Sequence, residues 1–157
     1  MCLIVDANLA PLVFGENPHD DFRPIINWLF SKSCDERLIG KLVVGGQLAT
    51  ELDKINKARE SIIELNRMGR ARIIPKNDTD KKSKQIKDLC KSDDPHVIAL
   101  ARLSGARILC SQDKTLHKDF RNPKLISDPR GHIYQNAEHE HLLSEYGHTS
   151  ACGQGKF

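Results

Sequence analysis

The chain has 157 residues, of which 24 are Lys or Arg and 21 are Asp or Glu, so its formal net charge is +3. That length is typical of one domain with its own core, and a composition of 39% hydrophobic and 29% charged residues excludes a disordered or fibrous chain. The five cysteines are scattered without a CxxC pair, which disfavours a secreted disulfide scaffold and a cysteine zinc ribbon.

Short apolar runs alternate with amphipathic segments, which indicates an α/β fold with a mostly parallel sheet covered on both faces. The predicted strands, in chain order, are Leu3 to Asp6, Leu42 to Val44, Arg72 to Pro75, Arg107 to Ser111 and Lys124 to Ser127. The predicted helices are Phe22 to Ser31, Gln47 to Met68, Asp80 to Lys91, Pro95 to Ser104, Lys114 to Phe120 and Ala137 to Tyr146.

The sequence also predicts where the protein is located and how far its domain extends along the chain. The most apolar segment, Val97 to Leu103, is interrupted by Arg102 and is far shorter than the ~20 residues that cross a bilayer. The beginning MCLIVDAN lacks the basic region and the long apolar run of a signal peptide. We therefore expect a protein of the reducing cytoplasm with no membrane partner, with one domain over residues 1–147 and a flexible tail over residues 148–157.

Three acidic residues lie where predicted strands end or a predicted helix begins. Asp6 ends the first strand, Asp113 follows the fourth, and Asp94 begins the helix that leads into the fourth. In an open parallel sheet, ligands bind outside the carboxyl ends of the strands. These three acids are therefore expected to face the same edge of the sheet.

Glu51 lies within the predicted long helix rather than at a strand end. It projects inside an apolar arc that includes Leu48, Leu52 and Ile55. Because a buried charge needs a partner or a metal, Glu51 is either a ligand or an ion-pair partner, for example of Arg59. The ligand interpretation is favoured.

Each acid also has a purely structural interpretation. Asp94 precedes Pro95, a common way to cap a helix, and Asp93 and Asp113 are equally plausible caps. Asp6 has no obvious role in a turn. Taken together, four acids at sheet-edge or core-facing positions favour a site for a hard divalent cation.

The remaining charge is basic. Setting aside the four acids leaves 24 basic residues against 17 of the 21 acidic ones, a balance of +7. A basic surface around an acidic, metal-loaded cleft suits a polyanion, and nucleic acid is the natural candidate. Such lysines are also often only solvated. The candidates for phosphate contact are Lys54, Lys57, Lys84 and Lys114.

The chain resembles the PIN-domain nucleases over most of residues 1–127. The resemblance is carried by IVDAN, by ATELDK, by the block SDDPHVIALARLSGARILCSQDKTL, and by the order Asp, Glu, Asp, Asp along the chain. It implies a three-layer α/β/α sandwich with a mostly parallel central sheet. It also implies a Mg²⁺ or Mn²⁺ cofactor and hydrolysis of RNA.

Carried over to this sequence, the resemblance implies a catalytic, metal-binding set of Asp6, Glu51, Asp94 and Asp113, supported by the polar residues Asn8 and Ser111. Some relatives carry a further acid three residues after the last acid of the set. Leu116 stands at that position here, and Asp119 is the nearest acid that could substitute for it. Since many relatives are toxins, an antitoxin protein and a second copy of the chain are candidate partners beside RNA. The alternative is a catalytically inactive RNA-binding or assembly scaffold of the same fold.

Overall fold

The structure, a computed structural model, describes residues 2–32 and 39–145. Its centre is a sheet of five parallel strands in the order β3-β2-β1-β4-β5. Leu3 of the central strand pairs with Leu42 on one side and with Ile108 on the other. The strands are β1 (Cys2–Val5), β2 (Lys41–Gly45), β3 (Ala71–Ile74), β4 (Ile108–Cys110) and β5 (His132–Tyr134).

Helices cover the sheet, and the resulting α/β/α sandwich confirms the predicted fold class. The central strands β1 and β4 are buried throughout, as parallel strands with helices on both faces should be. The described helices are α1 (Ala10–Phe14), α2 (Arg23–Leu29), α3 (Gly46–Asp53), α4 (Asn56–Arg67), α5 (Lys76–Ile86), α6 (Pro95–Ser104), α7 (Lys114–Arg121) and α8 (Leu142–Glu145).

Helix α6 has the predicted bounds. Pro95 occupies its first position, and Gly105 ends it in the left-handed conformation with φ 81°. Proline suits the first turn because it lacks an N–H, and glycine suits the end because it has no Cβ. Most of the helix is buried, so packing against the core fixes the position of its beginning.

The prediction of one long helix from Gln47 to Met68 is wrong. Helix α3 ends at Asp53, and Ile55 takes an extended conformation (φ −103°, ψ 105°) before α4 begins. Ile55 packs against the core there, so tertiary burial overrides the local tendency to continue the helix. The apolar residues beyond Lys54 therefore do not share a helix with Glu51.

The predicted strand Lys124 to Ser127 is also wrong. This segment is a turn in which the backbone N–H groups of Leu125 and Ile126 both donate to the carbonyl of Asn122 at 2.9 Å. Both side chains are buried. An apolar run thus marks burial but does not by itself distinguish a strand from a buried turn. The fifth strand is instead His132–Tyr134.

Other bounds differ in detail. Helix α5 begins at Lys76 rather than Asp80 and is followed by a 3-10 turn, and helix α1 was not predicted. The predicted helix Ala137 to Tyr146 is split into a 3-10 turn and α8. Tyr146 and the expected flexible tail over residues 148–157 lie outside the described residues.

Within residues 2–32 and 39–145, no helix is both long and apolar enough to span a membrane.

Cys2 is disulfide-bonded, which the expectation of a reducing compartment did not include. Cys90 and Cys110 are free thiols. Burial and the nearby charge of Asp119 raise the pKa of Cys90 to about 11. Burial likewise raises the pKa of Cys110 well above its usual range. Neither thiol has the lowered pKa of a reactive cysteine, so both are structural.

Candidate metal centre

Ser111 joins the ends of the neighbouring strands β1 and β4. Its buried hydroxyl donates to Asp6 Oδ2 at 3.0 Å and accepts from the backbone N–H of Asp113 at 3.1 Å. On its other side, Nε2 of the buried His117 lies 2.7 Å from the carbonyl oxygen of Ser111. Ser111 thereby fixes the relative positions of Asp6 and Asp113, and His117 contacts Ser111 from the other side. Nothing in the sequence pattern singled out His117.

Asp6 is the most deeply buried of the four predicted acids, with 7% of its surface exposed. Its backbone N–H continues the sheet by donating to Cys110, and its Oδ1 lies 3.5 Å from the backbone N of Asn8. The side chain of Asn8 is exposed. Asp6 is thus the N-cap of a 3-10 turn over Ala7–Leu9, a role in a turn that the sequence did not suggest, and Asn8 contacts it through the backbone N–H.

Asp113 has the capping role that was its structural alternative. Its Oδ1 accepts from the backbone N–H groups of Thr115 at 2.9 Å and Leu116 at 3.2 Å, at the start of α7. The other oxygen, Oδ2, makes no hydrogen bond to any residue in the described part of the chain. Asp113 can therefore cap α7 through Oδ1 and bind a ligand through Oδ2.

Asp94 behaves differently, because its side chain makes no capping hydrogen bond although it stands at the N-cap of α6. Partial burial raises the pKa of its carboxyl group, and the charges of Asp6, Glu51 and Asp113 raise it further, while His96 acts in the opposite direction. The other three acids predicted from the sequence therefore lie close enough to Asp94 to act on its carboxyl group. The capping interpretation of Asp94 finds no support in this geometry.

Two glycines allow Glu51 to lie at the same edge of the sheet. Strand β2 ends at Gly45, and α3 begins at Gly46 with no intervening loop and a φ of 54°, which favours glycine. A Cβ atom added at Gly46 would come within 2.8 Å of Thr79, so close packing also requires glycine there. Glu51 consequently lies in the second turn of a helix that starts at the sheet edge.

Glu51 is not buried in an apolar arc as predicted, since 35% of its side chain is exposed. Its Oε1 accepts from Gln47 Nε2 at 3.0 Å. Arg59, the alternative ion-pair partner, instead approaches Asn56. This leaves Glu51 Oε2 directed toward His96, at a distance of 4.0 Å from Nε2.

His96 is the least expected member of the site. It is 5% exposed in the first turn of α6, and its Nε2 has no hydrogen-bond partner in the described residues. Its Nδ1 lies 4.0 Å from Asp94 Oδ1. The sequence shows only Asp-Pro-His at the beginning of an apolar helix, and burial of the ring is a consequence of the tertiary packing of α6.

Asp119 belongs to the support of the site rather than to the acid cluster. The carboxylate is 1% exposed and accepts from the backbone N of Lys91 at 2.9 and 3.0 Å and from that of Ser92 at 2.8 Å. It therefore anchors the loop that leads to Asp94. The view of Asp119 as a substitute for a further metal-binding acid is wrong, because its oxygens are used by this loop.

The candidate lysines occupy different surroundings. Lys54 follows α3, and Lys114 directly follows Asp113, and both are exposed. Lys57 forms surface ion pairs with Glu16 at 3.7 Å and with Glu60 at 3.4 Å. Such pairs contribute little stability and leave the lysine accessible.

Lys84 lies in the last turn of α5, and its neighbour Gln85 lines a shallow groove together with Leu103. Leu103 is near the end of α6, about 14 Å along the helix from Asp94 at a rise of about 1.5 Å per residue. From the position of Gln85 beside Leu103, we expect Lys84 to lie away from the candidate site.

The residues present fit a hard divalent cation in their chemistry. Carboxylate oxygens are the ligands that Mg²⁺ and Mn²⁺ prefer, and the orphaned Nε2 of His96 is a buried polar atom that a ligand would satisfy. Across the described ranges, no three His, Cys, Asp or Glu side chains are already placed as a set of metal ligands.

No family model, curated protein or solved structure matches this chain. The case for function therefore depends on the geometry of these side chains and on the resemblance carried by the sequence motifs.

Proposed function

We propose that this protein is a metal-dependent endoribonuclease whose cation is bound by Asp6, Glu51, Asp94 and Asp113. The observation that supports this most strongly is the environment of Asp94. Its carboxylate is partly buried and makes no capping hydrogen bond to α6, and its pKa is raised by burial and by the charges of the other three acids. Like charges brought together without paired cations destabilise a fold. Such an arrangement is typical of a functional site.

The reaction class follows from this donor set. A divalent cation bound here would lower the pKa of a coordinated water and neutralise charge on the phosphoryl and leaving oxygens. The chain's own part is positional: Ser111 sets Asp6 relative to Asp113, and Asp119 holds the loop before Asp94. Cys90 and Cys110, the free thiols in the described residues, both have raised pKa values, so a covalent intermediate on either is not part of the proposal.

RNA is proposed as substrate because the charge outside the acid cluster is basic. Lys54 and Lys114 are exposed and close in sequence to Glu51 and Asp113, so they are the lysines best placed to contact a phosphate backbone at the site. A cytoplasmic location, where RNA is abundant, is part of the same proposal.

One observation favours the alternative of an inactive RNA-binding or assembly scaffold. In the part of the chain that the structure describes, no ready-made set of three metal ligands is present. A scaffold of this kind would bind RNA without cleaving it, with or without a cation.

The test is incubation of the purified chain with a panel of labelled structured RNAs in Mg²⁺, in Mn²⁺ and in EDTA. We expect cleavage with either cation, none in EDTA, and a loss of at least about a hundredfold in rate for Asp94→Asn. Asp88→Asn is the matched control, because Asp88 is an exposed acid in the 3-10 turn outside the cluster, and it should retain activity. Cleavage that persists in EDTA refutes the metal mechanism, and RNA binding without cleavage supports the scaffold.

A further inference from the structure

The buried imidazole of His96 is a polar group that the four acids do not account for. Its Nε2 is shielded from solvent and has no hydrogen-bond partner in the described residues. Leaving a buried polar atom unpaired costs about 1 to 3 kcal/mol, so native proteins rarely keep one without a ligand or a role.

The two ring nitrogens face two different carboxylates. Nε2 lies 4.0 Å from Glu51 Oε2, and Nδ1 lies 4.0 Å from Asp94 Oδ1. Both distances are too long for a hydrogen bond. Two ligands that share one cation, each about 2.1 Å from it, lie up to about 4.2 Å apart. The separation of Nε2 from Glu51 Oε2 is therefore within the span of two ligands of one ion.

The surroundings hold the His96 ring in place and contact the other oxygen of Glu51. The His96 ring is packed into the buried face of α6, whose following residues Val97 to Ala101 are all buried. Gln47 holds the other oxygen of Glu51, Oε1, at 3.0 Å. Preorganisation of this kind is what a ligand pair needs in order to bind an ion without first reorganising.

We propose that His96 binds the cation of this site through Nε2 together with Glu51. This inference rests on the proposed function only in that it uses the same cation site, and it does not require RNA cleavage.

A nitrogen ligand changes which ions the site prefers. Imidazole suits first-row transition ions such as Co²⁺ and Zn²⁺, whereas Mg²⁺ prefers an all-oxygen set. The site is thus a mixed nitrogen and carboxylate site that selects transition ions over Mg²⁺. The competing account is that His96 only forms a hydrogen bond with Glu51 after a small movement of that exposed side chain.

The two accounts are separated by metal titration of the purified full chain in the absence of RNA. Binding of Co²⁺ is followed by its visible absorption, and binding of Co²⁺ and of Mg²⁺ by calorimetry. The parent should bind Co²⁺ at least about tenfold more tightly than Mg²⁺. His96→Gln should weaken Co²⁺ binding by about tenfold or more and leave Mg²⁺ binding within about threefold.

The matched control is His141→Gln, because His141 is exposed and its ring contacts only the nearby carbonyl of Glu138 and the ring of His139 among the described residues. This variant should bind Co²⁺ and Mg²⁺ with the same affinities as the parent. Equal loss of Co²⁺ and Mg²⁺ affinity in His96→Gln, or no loss of either, overturns the inference. So does a parent that binds the two ions with equal affinity.

A second readout needs no substitution and covers the case in which His96→Gln does not fold. The parent loaded with Mn²⁺ should show electron spin echo modulation from an imidazole nitrogen, and its absence overturns the inference. RNA cleavage without that nitrogen signal contradicts the role of His96 alone. The nitrogen signal without RNA cleavage contradicts the ribonuclease proposal alone.

Discussion

Ser111 and Asp6 are 105 residues apart in the chain and are joined by a hydrogen bond of 3.0 Å between the serine hydroxyl and Oδ2 of the carboxylate. The same hydroxyl accepts from the backbone N–H of Asp113 at 3.1 Å. One buried side chain thus connects the ends of the adjacent strands β1 and β4 and sets the relative position of two acids.

The first prediction concerns this bridge. Ser111→Ala leaves Asp6 Oδ2 and the Asp113 N–H without their shared partner, so the variant should lose about 1 to 3 kcal/mol of unfolding free energy. Urea denaturation in EDTA measures this. Ser144→Ala removes an exposed hydroxyl that bonds only to a local carbonyl, and it should change stability by less than about 0.5 kcal/mol. Equal effects of the two substitutions would show that the bridge has no special role.

The second prediction concerns the carboxyl group of Asp94, whose pKa burial and the neighbouring acids raise. Between the ordinary and the raised pKa, the folded protein binds more protons than the unfolded chain, so folding stability falls as pH rises through that window. Asp94→Asn removes this effect. Without metal, the variant should be more stable than the parent near neutral pH, and the difference should shrink as pH falls toward about 4.

Urea denaturation of both proteins in EDTA, at several values between about pH 4 and pH 7, measures that difference. Asp88→Asn is again the control, and its difference from the parent should not follow this course. A constant difference between parent and Asp94→Asn at every pH would mean that Asp94 carries no electrostatic strain.

The third prediction concerns Asp119 as the anchor of the loop before Asp94. Asp119→Asn replaces one acceptor oxygen by an amide donor that faces the backbone N–H groups of Lys91 and Ser92. It should cost about 1.5 to 3 kcal/mol in unfolding free energy, the range for hydrogen bonds to a charged group. Calorimetry should also show weaker Mn²⁺ binding, since the loop carries Asp94. Unchanged Mn²⁺ affinity in a folded Asp119→Asn protein would limit its role to stability.

The fourth prediction separates the lysines near the site from the one that lies away from it. Removing a single lysine–phosphate interaction flattens the log–log dependence of RNA affinity on salt by about 0.7 for a single strand. Lys114→Ala should flatten the slope by this amount, whereas Lys84→Ala should leave it unchanged. Fluorescence anisotropy in EDTA over a series of salt concentrations measures the slope. A flatter slope for Lys84→Ala together with an unchanged slope for Lys114→Ala would place the RNA along α5 instead.

Sequence patterns predicted the parts of the structure that depend on local chemistry. The bounds of α6 follow from Pro95 at its start and Gly105 after its end, and the approach of Asp6 to Asp113 follows from the parallel order of the strands. The break at Ile55 was not predictable, because it arises from packing against the core rather than from a local breaker.

The support of the site was predicted least well. Asp119 binds a loop 28 residues earlier in the chain, and the absence of a described partner for His96 Nε2 depends on which residues surround α6. Capping of α7 by Asp113 was foreseen as an alternative, but that Asp94 would leave its helix uncapped required the backbone geometry of the loop.

The central claim is that Asp6, Glu51, Asp94 and Asp113 share one divalent cation, and thermal denaturation with and without Mn²⁺ tests it most directly. At a Mn²⁺ concentration of about 100 times its Kd, the parent should gain about 2.7 kcal/mol of stability relative to EDTA. Asp6→Asn and Asp94→Asn should lose most of that gain, and Asp88→Asn should keep it. A parent that gains nothing, or cluster variants that gain as much as the parent, would contradict the account.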